Sequence, residues 1–241
     1  MIRVITFDLW QTLISENPGD EEKRRSIRFE RMLALLKGLG SESTLEALQQ
    51  GYHACGEWLK EVWKQDRDVS TRDQVQFVID QLDAGLRLTR PEWARLEEAY
   101  VSPIRDLPPV VLPGARETLT SLTAAGYRLG LICNTGRTPG QVLRPLLGRL
   151  GLEHAFQAMA FSDELGIRKP DPVIFCRVMK QLKANPGEAV HVGDIAETDV
   201  AGAKRAGMMA LHLVRNGSGG SLEADGIIEG VGEVPEWVKG R

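Results

Sequence analysis

The sequence predicts an α/β protein in which a doubly wound parallel sheet carries an all-helical segment inserted near its amino end. Three observations lead there. A short β-branched run at the amino terminus ends abruptly in an acid; residues 15 to 105 then show helical periodicity with almost no strand candidates; and the remainder alternates helix and strand patterns.

Ile2 to Phe7 is apolar and rich in β-branched residues, as a strand buried on both faces of a parallel sheet requires, and it stops at Asp8. From about residue 15 to 105, stretches such as EEKRRSIRFERMLALLKGLG and TLEALQQGYHACGEWLKEVWKQ place apolar residues at helical spacing. Helix starts are legible in this segment. Ser70 or Thr71 precedes DQVQFVIDQL, and Thr89 precedes Pro91 and Glu92, so that a side-chain oxygen is available for the first free N–H groups. Between Leu107 and Gly114 the Pro-rich PPVVLPG ends the helical texture, because Pro cannot continue a helix and biases its predecessor toward extended backbone. Then follow ARETLTSLTAAG, YRLGLICN, QVLRPLLGRLG, AFQAMAFS, PVIFCRVMKQLK, AVHVGD, DVAGAKRAG and MALHLV, an alternation that specifies βαβ units. The first strand is too small to fold alone and is expected to join that sheet. Residues 1–14 and 106–241 then form one α/β core, with residues 15–105 as a helical insert closing over it. NGSGGS at 216 to 221 reads as a flexible loop.

Composition narrows the function class. With 42% hydrophobic and 26% charged residues the chain is globular in character, which sets aside disordered and fibrous classes. A net charge of -3 spread over mixed-sign segments leaves no basic stripe, so nucleic acid is not an expected partner. Cys55, Cys133 and Cys176 are too sparse for a disulfide scaffold and lack zinc-site spacing, which fits a reducing compartment. The opening MIRVITFDLW meets Asp8 before a targeting or membrane segment is complete, so no membrane association and a cytoplasmic location are expected.

In open parallel sheets, ligands bind beyond the carboxyl ends of the strands. Four polar segments end apolar runs: Asp8 to Thr12, Cys133 to Arg137, Arg168 to Asp171, and Gly193 to Asp199. If these share one sheet edge, Asp8, Lys169, Asp194 and Asp199 meet there. Carboxylates crowded in low dielectric repel one another, so a bound cation is the natural compensation, and hard oxygen ligands favour Mg²⁺. Backbone N–H groups after Asp8 and after Cys133 are placed to cradle an anion, and Thr12 adds a hydroxyl.

FDLWQTL, ICNTG, RKPDP and VGDIAETD, in that order and at these strand ends, resemble the four motifs of the haloacid dehalogenase (HAD) superfamily. The resemblance covers the whole chain. It implies a Rossmann-like core, with residues 15–105 similar to the helical cap of the first cap class. It further implies that Asp8 is a nucleophile forming an aspartyl intermediate that water hydrolyses, assisted by Lys169 and Thr12. Mg²⁺ would be held by Asp8, the backbone carbonyl of Trp10, Asp194 and Asp199. Asn134, Thr135, Arg137 and Trp10 would line the substrate, a small phosphorylated metabolite.

Two departures bear on chemistry. The family's phosphatases place a second Asp two residues after the nucleophile to protonate the leaving alcohol; this chain has Trp10, so a donor of the kind that contributes roughly 10²- to 10⁴-fold in rate is missing or is supplied by the cap. Cys133 stands where the family has Ser or Thr, and a thiol donates weakly. An aromatic residue at position 10 also resembles the family's metal-free 2-haloacid dehalogenases, whose halide leaves without a proton, whereas Asp194 and Asp199 resemble the phosphatase form. A third expectation is a weakly catalytic protein that binds a phosphorylated ligand or a partner chain through the cap.

Each residue also has a purely structural explanation. Asp199 heads DVAGAKRAG and suits a helix N-cap, Trp10 suits a plug beneath the insert, and Cys133 suits a small buried hydrophobe. His53, Glu57, Lys60 and Lys64 share faces of an amphipathic helix whose usual role is solvation. His154, His191 and His212 are isolated, and His191, inside a strand, suits a satisfied core residue.

Overall fold

The computed structural model describes residues 1–83, 86–215 and 219–241. Strand β1 (Val4–Phe7) leads into β2 (Ile14–Ser15), and a helical segment intervenes before β3 (Val110–Val111) returns to pair antiparallel with β2, Ile14 opposite Val111. Both connections of the insert are thus tied in one short ribbon. The alternating remainder supplies β4 (Arg128–Cys133), β5 (Ala158–Phe161), β6 (Ala189–Gly193), β7 (Met209–Leu213) and β8 (Gly226–Ile228). These five join β1 in a six-stranded parallel sheet of order β5-β4-β1-β6-β7-β8.

β1 lies inside the sheet, with Phe7 opposite both Leu131 and Val192. Every residue of β1 and β6 is buried, which explains why their sequences do not alternate in polarity. Successive side chains point to opposite faces and feed two cores. Ile5, Phe7, Leu129 and Leu131 pack in one, while Val4, Ile132, Phe175 and Val178 pack in the other.

The insert is built from α1 (Asp20–Gly38), α2 (Leu45–Trp63), α3 (Thr71–Asp83) and α4 (Arg90–Val101). Its starts are capped as their residue types require. Thr44 Oγ1 accepts from the Ala47 N–H at 3.1 Å, and Ser70 and Asp73 bond reciprocally at the head of α3. At α4 the Thr89 N–H donates to Glu92 at 2.6 Å. Met32, Leu36, Leu48, Val75 and Leu96 of the insert share one apolar cluster with Leu9 and Leu13, which follow β1.

Three features depart from the expectations. The β2–β3 ribbon and β8 are too short to leave a sequence pattern. Residues Ala196–Val200 form a wide π-helical turn, so the regular helix in DVAGAKRAG starts at Ala201 and Asp199 is not its N-cap. Within NGSGGS, residues 216–218 lie outside the described residues, so the loop expectation falls largely there. Among the described residues no helix is long and apolar enough to cross a membrane.

Candidate active site

Because β4, β1 and β6 run parallel and adjacent, their carboxyl ends place Asn134, Asp8 and Asp194 along one edge. The Asp8 N–H donates to the Val192 carbonyl at 2.9 Å, continuing the ladder one residue past β1. The chain then doubles back. Leu13 and Ile14 N–H both donate to the Leu9 carbonyl, and Gln11 donates to Ile14 from a left-handed backbone (φ 56°). A non-glycine residue there costs roughly 1–2 kcal/mol, which the surrounding hydrogen bonds hold in place.

Lys169 arrives on the loop after β5 and the short helix Ser162–Leu165. Asn134 fixes its main chain from both sides: Nδ2 donates to the Lys169 carbonyl at 3.0 Å, and Oδ1 accepts from the Lys169 N–H at 2.8 Å. The buried ammonium bridges Asp8 Oδ1 at 2.5 Å and Asp199 Oδ1 at 2.6 Å. Asp199 is in turn held by the Ile195 N–H on Oδ2 at 2.9 Å and by His191 Nε2 on Oδ1 at 3.3 Å. Its approach requires Gly193, where a Cβ would come within 2.3 Å of the Asp199 carboxyl carbon.

His191 is a satisfied core residue, as its strand position suggested. Its other ring nitrogen bonds Thr6 Oγ1 at 2.9 Å and Phe175 meets the ring edge-on, while burial pushes its pKa down and keeps it neutral. His212 is not isolated. Its Nδ1 accepts from the Ser221 N–H at 2.9 Å, which leaves Nε2–H to donate to the Asp194 carbonyl at 3.1 Å and fix the main chain there.

The charges divide unevenly. Burial pushes Asp8 up to about 7, with Lys169 opposing and Asp199 and Asp194 reinforcing the shift. Asp199 is as deeply buried, but Lys169 and His191 hold it below the ordinary carboxylate range. Burial pushes the Lys169 ammonium down, but Asp199 and Asp8 outweigh it and hold it above the ordinary lysine range. Asp194, raised by burial and by Asp199, is half-buried. One oxygen from each of Asp8, Asp194 and Asp199 lies within 4.8 Å of the others. Three carboxylates facing one ammonium form a hard, anionic donor set that fits a divalent cation.

Several residues predicted to touch substrate have other partners. Asn134 spends its side chain on Lys169. Thr135 is buried, and its hydroxyl lies 3.0 Å from Ser162 Oγ and 3.4 Å from Asp68 of the insert. Arg137 extends into the insert, where it donates to the Tyr100 hydroxyl, to Cys55 Sγ at 3.2 Å and to the Tyr52 carbonyl at 3.3 Å. Thr12 Oγ1 is buried with no partner among the described residues. Cys133 is a buried thiol held protonated by burial. Of the insert face residues, Lys60 and Lys64 pair with Glu57 and Glu61 as exposed i,i+3 pairs.

Trp10 and Gln11 line a cleft of about 390 Å³ between the sheet edge and the insert, together with Asn134, Arg137, Arg28 and Trp63. A second opening of about 570 Å³ runs from Gln11 past Asp194 and His212. Residues missed in the sequence hold the insert down. Asp68 accepts from Ser162 Oγ at 2.5 Å, Arg168 at 3.3 Å, Trp63 Nε1 at 3.2 Å and the Val69 N–H at 2.9 Å. Main-chain bonds join the Asp68 N–H to the Gly166 carbonyl and the Arg168 N–H to the Asp66 carbonyl. A single Asp in a loop carries no periodic signal by which to find this contact.

Comparison with known proteins places this geometry in context. A family model described as haloacid dehalogenase-like hydrolase matches residues 2–207. Glyceraldehyde 3-phosphate phosphatase of Pyrococcus abyssi is 30% identical over 86% of this chain and 79% of its own length. Other curated relatives match over shorter stretches. This chain spans 46% of glyceraldehyde 3-phosphate phosphatase of Methanopyrus kandleri and 37% of phosphoglycolate phosphatase of Pseudomonas fluorescens, each at 36% identity. Among solved structures, a HAD phosphatase from Thermococcus onnurineus is 27% identical with a TM-score of 0.64, covering 100% of this chain and 99% of that one. A 2-haloacid dehalogenase from Pseudomonas syringae is 25% identical with a TM-score of 0.71, covering 98% and 97%.

Proposed function

The chain belongs to the haloacid dehalogenase-like hydrolases, and from that membership we propose that it is a Mg²⁺-dependent phosphatase of small phosphorylated metabolites. Residues 1–14 and 106–241 serve as its catalytic core and residues 15–105 as its cap. The observation that carries this reading is the charge balance at the sheet edge: three carboxylates, Asp8, Asp194 and Asp199, lie against the buried Lys169 ammonium and the Arg215 guanidinium that acts on Asp194, and the remaining negative charge in a buried site favours a cation. A metal-free dehalogenase would leave that excess uncompensated.

Asp8, Asp194 and the Trp10 carbonyl are the donors with capacity left to hold Mg²⁺. Asp199 was expected among the ligands, but Lys169, His191 and the Ile195 N–H occupy its oxygens, so we assign it to positioning Lys169 and to contributing charge. Held there, the ion would supply positive charge against the phosphoryl group as the Asp8 carboxylate approaches it. The Asp8 carboxylate attacks phosphorus, the bond to the leaving oxygen breaks, and water then cleaves the aspartyl phosphate to release phosphate and restore Asp8. Lys169 holds the attacking carboxylate in place. Asn134, expected to bind substrate, acts by clamping the Lys169 main chain. Trp10 offers no acid to the leaving oxygen, so esters with good leaving groups are the preferred test substrates.

Hydrolysis of p-nitrophenyl phosphate and acetyl phosphate, followed with Mg²⁺ and with EDTA, tests the proposal. Turnover is expected only with Mg²⁺ and is expected to vanish in Asp8→Asn while the fold persists. Turnover unchanged in EDTA, or chloride release from 2-chloropropionate without metal, would overturn it.

A further inference from the structure

Two of the guanidiniums lining the cleft beside Trp10 and Gln11 have no carboxylate partner among the described residues. Arg24 is paired with Glu16 and lies 3.6 Å from Glu21, and Arg168 is paired with Asp68 at 3.3 Å. Arg28 and Arg137 make only neutral contacts. Arg28 Nε donates to the Tyr100 carbonyl at 2.6 Å and Nη1 to the Tyr52 hydroxyl at 2.9 Å. Arg137 donates to the Tyr100 hydroxyl, Cys55 Sγ and the Tyr52 carbonyl. The Tyr100 hydroxyl passes its own proton to Gln74 Oε1 at 2.9 Å, so it receives from Arg137 as a neutral phenol.

Both cations crowd the same two rings. The Arg137 guanidinium carbon lies 4.0 Å from the Tyr52 ring centre, and that of Arg28 lies 5.1 Å from the Tyr100 ring centre. Ring faces attract cations but cannot neutralise them. Arg28 is 3% exposed, and a guanidinium this far from water without an anion is costly. The phosphate of a substrate cannot supply the missing charge, because its place is at Asp8 and Lys169. We propose that the natural substrate is a phosphorylated carboxylic acid whose carboxylate is taken by Arg28 and Arg137 while its phosphate lies at Asp8. This rests on the phosphatase reading and narrows it. A planar carboxylate matches the guanidinium fork, and since Arg28 comes from α1 and Arg137 from the loop after β4, the acid would bridge insert and sheet edge.

The test compares phosphoglycolate with 2-hydroxyethyl phosphate, two esters of similar size that differ in the carboxylate. Binding to Asp8→Asn protein with Mg²⁺, read by calorimetry, is expected to favour the acid about 10- to 100-fold, the usual worth of hydrogen bonds to a charged group. In Arg28→Gln, and again in Arg137→Gln, the preference is expected to fall at least tenfold, with Arg28→Lys retaining part of it. Circular dichroism identifies any variant that fails to fold, and the two substitutions in different elements keep the comparison decisive. Equal binding of the two esters, or a preference unchanged in both folded glutamine variants, would overturn the inference. Turnover of p-nitrophenyl phosphate by the intact enzyme is read separately: with that activity present and no preference, the phosphatase reading stands and the carboxylate site falls. With a preference but no turnover of any phosphoester, the phosphatase reading falls instead.

Discussion

Replacing Lys169 with Met probes the charge balance on which the site depends. The ammonium is almost fully buried and lies within 2.6 Å of both Asp8 and Asp199, and no other cation pairs with either carboxylate among the described residues except His191, which is neutral. Methionine keeps most of the volume but strands two buried anions. Removing one partner of a buried ion pair costs about 3–5 kcal/mol, and a domain of this size loses about 2–4 °C in Tm per kcal/mol. The expected fall is therefore roughly 6–20 °C at pH 8 in EDTA. At pH 5 the fall is expected to shrink, because two carboxylates without a cation between them share a proton well above the ordinary carboxylate range. Mg²⁺ at about 100 times its Kd is expected to return about 2.7 kcal/mol, narrowing the gap to wild type measured in EDTA at pH 8. Differential scanning calorimetry at both pH values, with and without Mg²⁺, reads all three quantities. A Lys169→Met protein that melts with wild type at pH 8 in EDTA would refute the claim that this lysine neutralises the cluster.

Three further outcomes follow from the same geometry. In the metal-free protein, Asp8 binds its proton more tightly when folded than when unfolded, so its contribution to stability is present below about pH 4 and is lost as pH rises toward 7; Mg²⁺ competes with that proton, and its stabilising effect should grow between pH 5.5 and pH 8. Equal Mg²⁺-induced gains in Tm at the two pH values would contradict this. Asp68→Asn removes the charge behind five hydrogen bonds and should cost about 1.5–3 kcal/mol, with hydrogen exchange rising first in residues 66–68 and 166–168; uniform exchange across the chain would count against a local contact. Trp10→Asp puts an acid two residues past Asp8 and should raise turnover of poor leaving-group esters by up to roughly 10²-fold at some loss of stability, and a folded, Mg²⁺-binding variant with no gain would mean that the proton comes from elsewhere.

The sheet was legible because its strands are buried on both faces and end in polar residues, so that each run announces its own boundary. Asp8 and Asp194 were legible for the same reason: a charged residue directly beyond an apolar run has few structural uses; Lys169, expected at a strand end, follows the short helix Ser162–Leu165 instead, and only the RKPDP motif pointed to it. Asp199 was harder to assign. Its position suggested a helix cap, whereas the wide turn at Ala196–Val200 rotates its carboxylate toward Lys169, a backbone irregularity that no residue pattern announces. The roles of Asn134, Thr135 and Arg137 depend on what lies opposite them in space. Asn134 faces a main chain 35 residues away and Arg137 a tyrosine 37 residues away, and periodicity carries no information at that range.

These two sets of contacts have different mechanical consequences. Lys169 is held through its main chain by Asn134, a residue of the sheet edge, and through its ammonium by Asp8 and Asp199, which belong to the same edge. None of these partners comes from the insert. The cleft wall is the reverse case, since Arg137 is oriented by Tyr52, Cys55 and Tyr100, all from the insert, and Thr135 shares Asp68 with Ser162. Asp68→Asn should therefore leave Asp8, Lys169, Asp194 and Asp199 assembled while loosening the cleft wall that, on the proposed function, meets the rest of the substrate. The expected kinetic signature is a raised KM with kcat changed far less, and for phosphoglycolate a larger rise than for p-nitrophenyl phosphate, which has no carboxylate to place. A fall in kcat with KM unchanged would mean that the insert helps to set Asp8 itself, and that the independence of the sheet edge is wrong.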